Sequence, residues 1–143
     1  MILYLDTSSL VKLYVSEDGS QKVRRLVGEA DVVATSVVAF AEARSAFARL
    51  AREGNLTSEN LASVRGAFLR DWESLLKVRV LKRVYELAGA LTEKHVLRGF
   101  DALHLASFLE VSAQAEGEDV KFSAFDDRLN TAVTAELASS ARR

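Results

Sequence analysis

The sequence predicts an α/β fold: three layers, α/β/α, with a parallel sheet in the middle. Three observations carry that prediction. The chain opens on Met1-Ile-Leu-Tyr-Leu5, a short apolar run that stops at Asp6 and a small-hydroxyl cluster, Thr7-Ser8-Ser9. Such a run reads as a strand buried on both faces, the kind found in parallel sheets. Further strand-like segments are separated by helix-like ones, as in βαβ units. Near the end, Val120-Lys-Phe-Ser123 repeats the opening arrangement, with an aspartate after the strand and a helix behind it.

The elements follow in order. Ser8 or Ser9 can cap a short helix from Leu10 to Val15, ending near Glu17-Asp18-Gly19. Gln21 to Val27 makes a second helix closed by Gly28, a usual helix-end residue. Asp31 to Thr35 is strand-like, and Ser36 can cap a helix from Val37 to Arg52 that Gly54-Asn55 terminates. Thr57 is an N-cap for the next helix, which carries the stripe Leu61, Val64, Phe68, Trp72 and Leu75 at helical spacing. That stripe reads as core or as a partner interface. Val78 to Leu81 reads as a strand and Arg83 to Lys94 as a helix. Phe100 to Val111 is apolar almost all round, so most of that helix should be buried. Its polar exceptions, Asp101, His104, Ser107 and Glu110, form a narrow stripe. The last helix spans Arg128 to Leu137. Residues 1–138 read as a single domain and 139–143 as a frayed tail.

Composition narrows the function. With 143 residues, 49% of them hydrophobic and 27% charged, the chain fits one ordinary globular domain. It has no cysteine, hence no disulfide, thiol nucleophile or thiolate metal site. No apolar run reaches the roughly 18 residues of a membrane span, and the opening run lacks the basic start of a secretion signal. No membrane partner and a cytoplasmic setting are expected. The net charge of −1 removes a bulk basic footprint, so a nucleic acid would be held by local arginines or by metal. Two histidines are too few for a histidine-built metal site, which leaves oxygen ligands.

Four acids stand out. Asp6 and Asp126 follow strands, Asp101 opens a helix, and Glu42 shares its helix face with the uncharged Val38, Ala39, Ser45 and Ala46. Each has an ordinary explanation, such as a turn, a cap or an ion pair. In a right-handed parallel sheet, however, strand ends and the helix starts behind them collect on one rim. Carboxylates crowded there repel, and either take up protons or bind a cation. Hard oxygen ligands suit Mg2+ or Mn2+. Such ions keep waters that can attack a phosphodiester.

With those motifs in hand, the chain resembles the PIN-domain family, in particular the VapC-type toxins of prokaryotic type II toxin–antitoxin pairs. The resemblance rests on Tyr4-Leu-Asp-Thr-Ser8, Glu42 within Ala-Phe-Ala-Glu-Ala-Arg, Asp101 within Phe-Asp-Ala-Leu-His-Leu-Ala, and Phe122-Ser-Ala-Phe-Asp-Asp-Arg-Leu129. The four come in the family's order from Asp6 to Leu129. The resemblance implies a PIN-like fold and a metal site of four acids. Asp6 and Asp101 would ligate Mg2+ or Mn2+ directly, with Glu42 and Asp126 acting through water or a second ion. Asp126 is preferred to Asp127 because the family pattern there is Asp-x-Arg-Leu. Ser8 and Ser123 occupy the small-hydroxyl positions near the metal. The resemblance also implies endoribonuclease activity, an RNA substrate, a homodimer and a cognate antitoxin. Lys12, Arg44, Arg98 and Arg128 are the nearby cations for RNA phosphates. An aspartyl-phosphate phosphatase would want a second aspartate where Ser8 stands, and a receiver domain would want paired acids on the first loop. A metal-free scaffold or RNA-binding module with the same fold is the remaining alternative.

Overall fold

Successive side chains of a strand point to opposite faces, and the opening strand β1 (Ile2–Leu5) buries both. Ile2 and Tyr4 enter one core, Leu3 and Leu5 the other. The two cores are the two helical layers of this computed structural model, which describes residues 1–142. In chain order the other elements are α1 (Thr7–Val11), α2 (Ser20–Glu29), β2 (Val32–Ser36), α3 (Ala39–Arg52), α4 (Ser58–Trp72) and β3 (Leu76–Val78). After these come α5 (Lys82–His95), α6 (Gly99–Gln114), β4 (Val120–Ser123) and α7 (Asp127–Ala141).

All four strands are parallel, in the order β3-β2-β1-β4. The chain first steps outward from β1 to β2 to β3, and its helices α1–α4 pack on the Leu3/Leu5 face. It then returns across the sheet to place β4 on the other side of β1, and α5–α7 pack on the Ile2/Tyr4 face. Reversing direction with right-handed crossovers puts the second set of helices on the opposite face. The reversal also makes the gap between β1 and β4 a topological switch point, where open α/β sheets bind ligands. Asp6 and Asp126 flank that gap.

Packing on both faces is aromatic. Tyr4 stacks on Phe122 with ring centroids 5.5 Å apart, and Phe108 meets Phe122 edge-on at 5.1 Å. On the other face Phe68 packs against Phe40, Phe47 and Trp72. Each fully buried ring stabilises the fold by about 1.5–3 kcal/mol relative to exposure. The stripe on α4 is therefore spent on the core: Phe68 is buried and Leu61, Val64, Trp72 and Leu75 pack around the same cluster.

Several boundaries differ from the sequence reading. Asp6 itself caps α1 by accepting the Ser9 N–H, so the helix starts at Thr7 and stops at Val11. Neither Ser8 nor Ser9 is the cap, because the aspartate one step earlier already reaches the free N–H groups. Gly28 lies inside α2, which ends one residue later. Helix α3 starts at Ala39 without a side-chain cap; Ser36 is the last residue of β2, and its hydroxyl accepts the Val38 N–H at 3.3 Å. β3 covers Leu76–Val78 rather than 78–81, because only those residues find partners, at Ala34–Ser36. Thr57 caps α4 as expected. The last helix is longer than expected at both ends, so Ser139 and Ser140, placed by sequence in the tail, are helical. Of the expected tail, residue 143 lies outside the described residues. Among the described residues no helix is long and apolar enough to cross a membrane.

Candidate metal-binding rim at the strand ends

The site is built from the carboxyl end of β1 outward. Asp6 leaves the strand in an extended conformation and turns its carboxylate back onto the first turn of α1. Oδ1 accepts the Ser9 N–H at 2.9 Å, and the Ser8 hydroxyl donates to both oxygens at 2.8 and 3.0 Å. The side chain is buried. Burial pushes the Asp6 carboxyl above its ordinary range, and the Ser9 N–H and Ser8 hydroxyl pull it partly back.

Ser9 ties α1 to the end of β4. Its hydroxyl donates to the Ser123 carbonyl at 2.9 Å and meets the Ser123 hydroxyl at 2.9 Å. Ser123 is buried and faces this serine. Its hydroxyl thus serves this tie, whereas Ser8 is the hydroxyl on Asp6.

Glu42 stands on the first turn of α3, and two donors hold its Oε1. The Thr7 hydroxyl donates at 2.5 Å, and Nε2 of His104 lies at 3.1 Å. Burial works against this carboxylate, but the hydrogen bonds from His104 and Thr7 outweigh it and hold the pKa below the usual glutamate range. The uncharged helix face around Glu42 thus has a partner from another element, α6.

Asp101 lies in the first turn of α6, half-buried. Burial raises its carboxyl, and the charges of Asp126 and Asp6 raise it further; His104 and Arg98 act in the other direction. Asp126 is exposed and caps α7, accepting the Leu129 N–H at 2.8 Å. Asp127 lies in the first turn of the helix, exposed. Asp6, Asp101 and Asp126 therefore share one electrostatic neighbourhood, and Glu42 joins it through Thr7 and His104.

Carboxylates without a thiolate make an all-oxygen donor set that suits Mg2+ or Mn2+. The raised carboxyl of Asp101 is the observation in favour, since a divalent cation would relieve the charge that holds it up. Among the described residues no three His, Cys, Asp or Glu side chains form a ready-made metal cluster.

A cleft of about 430 Å³ opens beside the rim, lined by Thr7, Ser8, Glu17, Glu42, Ser45 and Arg49 among others. A larger, more apolar cleft of about 450 Å³ lies around β3 and the end of α6, away from the acids. Of the four expected cations, Arg98 acts on Asp101. Lys12 is taken by Glu17 at 3.0 Å, and Arg44 lies 5.8 Å from the centre of the Phe40 ring.

The sequence placed His104 in a polar stripe and gave neither it nor Thr7 or Tyr4 a role in the site. All three belong to the Glu42 network: the Tyr4 hydroxyl meets Nδ1 of His104 at 2.8 Å, and Thr7 Oγ1 meets Nε2 at 3.0 Å. The available signal was the polar stripe of α6, which puts His104 one turn from Asp101.

Comparisons with known proteins bear on the family and the fold. The family described as PIN domain matches residues 3–133. Over 110 residues the chain is 37% identical to Ribonuclease VapC49 of Mycobacterium tuberculosis, covering 77% of this chain and 76% of that one. The crystal structure of Mycobacterium tuberculosis VapC20, a Sarcin-Ricin loop cleaving toxin, superposes with a TM-score of 0.62 at 20% identity over 91% of this chain and 94% of that one. VapBC2 from Rickettsia felis, bound to a DNA fragment from the promoter, superposes with a TM-score of 0.53 at 15% identity over 87% and 100%. The two structures speak for the fold, and the family match and the 37% relative for the lineage: this chain belongs to the PIN-domain family, among its VapC-type members.

Proposed function

We propose that this protein is an endoribonuclease, the toxin of a type II toxin–antitoxin pair, and that it cuts RNA phosphodiesters with Mg2+ or Mn2+. The observation that carries the reading is the gathering of Asp6, Asp101 and Asp126, near enough for their charges to act on one another, at the switch point of a parallel sheet. The ribonuclease name of the VapC49 relative supports it. Asp6 and Asp101 are the direct ligands, and Glu42 and Asp126 orient water or a second ion. Bound metal supplies an activated water and stabilises the leaving oxygen. The chain itself does the positioning: Ser8 and the Ser9 N–H fix Asp6, Thr7 and His104 fix Glu42, and the cap onto Leu129 fixes Asp126. Arg98, beside Asp101, and Arg49, in the adjoining cleft, are suited to RNA phosphates.

The same reading includes a cognate antitoxin, for which the likeness to a VapBC2 assembly is the support, and a homodimer in the cytoplasm. An apolar groove of about 310 Å³ between α5 and the start of α6 supports the dimer: Tyr85 and Phe100 line it, more than half exposed, as is nearby Val96.

The test is cleavage of single-stranded or looped RNA by purified protein, with Asp101→Asn prepared in parallel to exclude a contaminating nuclease. Cleavage should require Mg2+ or Mn2+, stop in EDTA and return on adding excess Mn2+. Undiminished cleavage in chelator would overturn the metal reading. A folded protein inert with every divalent ion and every RNA tried would overturn the nuclease reading.

A further inference from the structure

His104 is buried at 2% exposure, and three groups meet its ring. At Nε2 stand Glu42 Oε1 (3.1 Å) and Thr7 Oγ1 (3.0 Å); at Nδ1 stands the Tyr4 hydroxyl (2.8 Å). An ionised carboxylate only accepts hydrogen bonds. The Thr7 hydroxyl has already given its hydrogen to the same Glu42 oxygen. Both groups therefore face Nε2 as acceptors, and Nε2 must carry a hydrogen. In the neutral ring Nδ1 is then the acceptor of the Tyr4 O–H. Tyr4 cannot swing away, because its ring is fully buried, stacked on Phe122 and edge-on to Phe108.

We propose that Tyr4 and His104 form a positioning arm for Glu42. The tyrosine sets the tautomer of the imidazole, and Nε2–H together with the Thr7 hydroxyl pins Oε1. Oε2 is left as the oxygen that serves a metal ion or its water. The inference rests on the metal-dependent reading of the rim and adds to it a residue outside the four acids. A carboxylate on a helical side chain with three rotatable torsions would otherwise sample many positions, and the arm holds it in one before any ion arrives.

Two substitutions separate an arm from a mere space-filling histidine. Glutamine places its amide nitrogen about where Nε2 lies, and asparagine about where Nδ1 lies. His104→Gln should stay within a few fold of the parent in Mn2+ affinity, measured by titration calorimetry, and in kcat for RNA. His104→Asn should lose about 10- to 100-fold in Mn2+ affinity or kcat, the usual cost of losing a group that orients a ligand, with KM for RNA unchanged. Folded Gln and Asn variants with equal losses, or with none, would overturn the proposal. Should neither variant fold, the parent's imidazole 15N spectrum decides: at neutral pH Nε2 of His104 should bear hydrogen and Nδ1 none, and a bare Nε2 or a hydrogen on Nδ1 would overturn the arm. A parent that binds no Mn2+ and cuts no RNA would count against the nuclease reading instead, with the 15N spectrum still judging the arm.

Discussion

Glu42 on α3 and Asp101 on α6 are both partly buried, and their carboxyls shift in opposite directions. Burial penalises the charged form of each. Glu42 ends below its ordinary range because Thr7 and His104 donate to it. Asp101 ends above because burial and the like charges of Asp126 and Asp6 act on it without such donors. Between these two partly buried groups the donors decide the sign, whereas at the more deeply buried Asp6 burial outweighs the donors it has. The rim thus has a half that is locked before anything binds, Asp6 and Glu42, and a half that needs positive charge to settle, centred on Asp101.

The largest effect should come from the unsettled half. Asp101→Asn keeps the shape and removes one charge, and should lower kcat on the order of 10³-fold, as for loss of a main electrostatic stabiliser. Retention of most activity by the folded variant would strip Asp101 of its central place.

Asp126 and Asp127 sharpen the same point. Asparagine caps helices about as well as aspartate, so Asp126→Asn should keep the bond to the Leu129 N–H and stay within about 0.5 kcal/mol of the parent in stability. It should still cost far more activity than Asp127→Asn. Equal losses in a cleavage assay would move the fourth acid one residue along.

Stability without metal should rank the halves the other way. Asp6→Ala removes the cap of α1 and leaves the Ser9 N–H unmet in a buried place, a loss of about 0.5–2 kcal/mol. Asp101→Ala removes a carboxylate that its neighbours repel, and in EDTA it should melt as high as the parent or higher. Added Mg2+ should raise the parent's melting temperature and leave that of Asp101→Ala nearly unchanged. Thermal melts of both variants that fall equally in EDTA would erase the distinction.

The smallest effect is in the pH dependence, and its sign differs between halves. A raised carboxyl binds its proton more tightly in the fold than in the unfolded chain. Its cost is present at neutral pH and is relieved as pH falls through the folded value towards 3.8. In EDTA the parent should therefore gain on Asp101→Asn as the pH is lowered into that window. Glu42 is the reverse: its contribution is full above 4.5 and is lost as pH falls through the lower folded value. The parent should lose ground to Glu42→Gln below pH 4.5. Melting curves of the three proteins from pH 7 down to about 3 check both signs.

The strands before Asp6 and Asp126 and most of the helices were legible in the sequence. Local chemistry wrote them: a short apolar run ended by aspartate, and apolar residues repeating at helical spacing. The family resemblance carried by Asp6, Glu42, Asp101 and the Asp126-Asp127-Arg128-Leu129 stretch was legible for the same reason, since motif order is a property of the chain alone. The misplaced boundaries, at α1, α2 and β3, are where two neighbouring residues could each do the job, and contacts with other elements chose between them. Only the tertiary structure could decide what stands around Glu42. Tyr4, Thr7, Glu42 and His104 come from β1, α1, α3 and α6, and up to 100 residues separate the hydrogen-bonded partners. No spacing rule links them, because the crossover that carries the chain from β3 to β4 brings α6 across the sheet. The sequence by itself supplied the charges of the rim. The fold determined which charges are held and which repel, because hydrogen-bond donors act over about 3 Å, a distance that only folding sets.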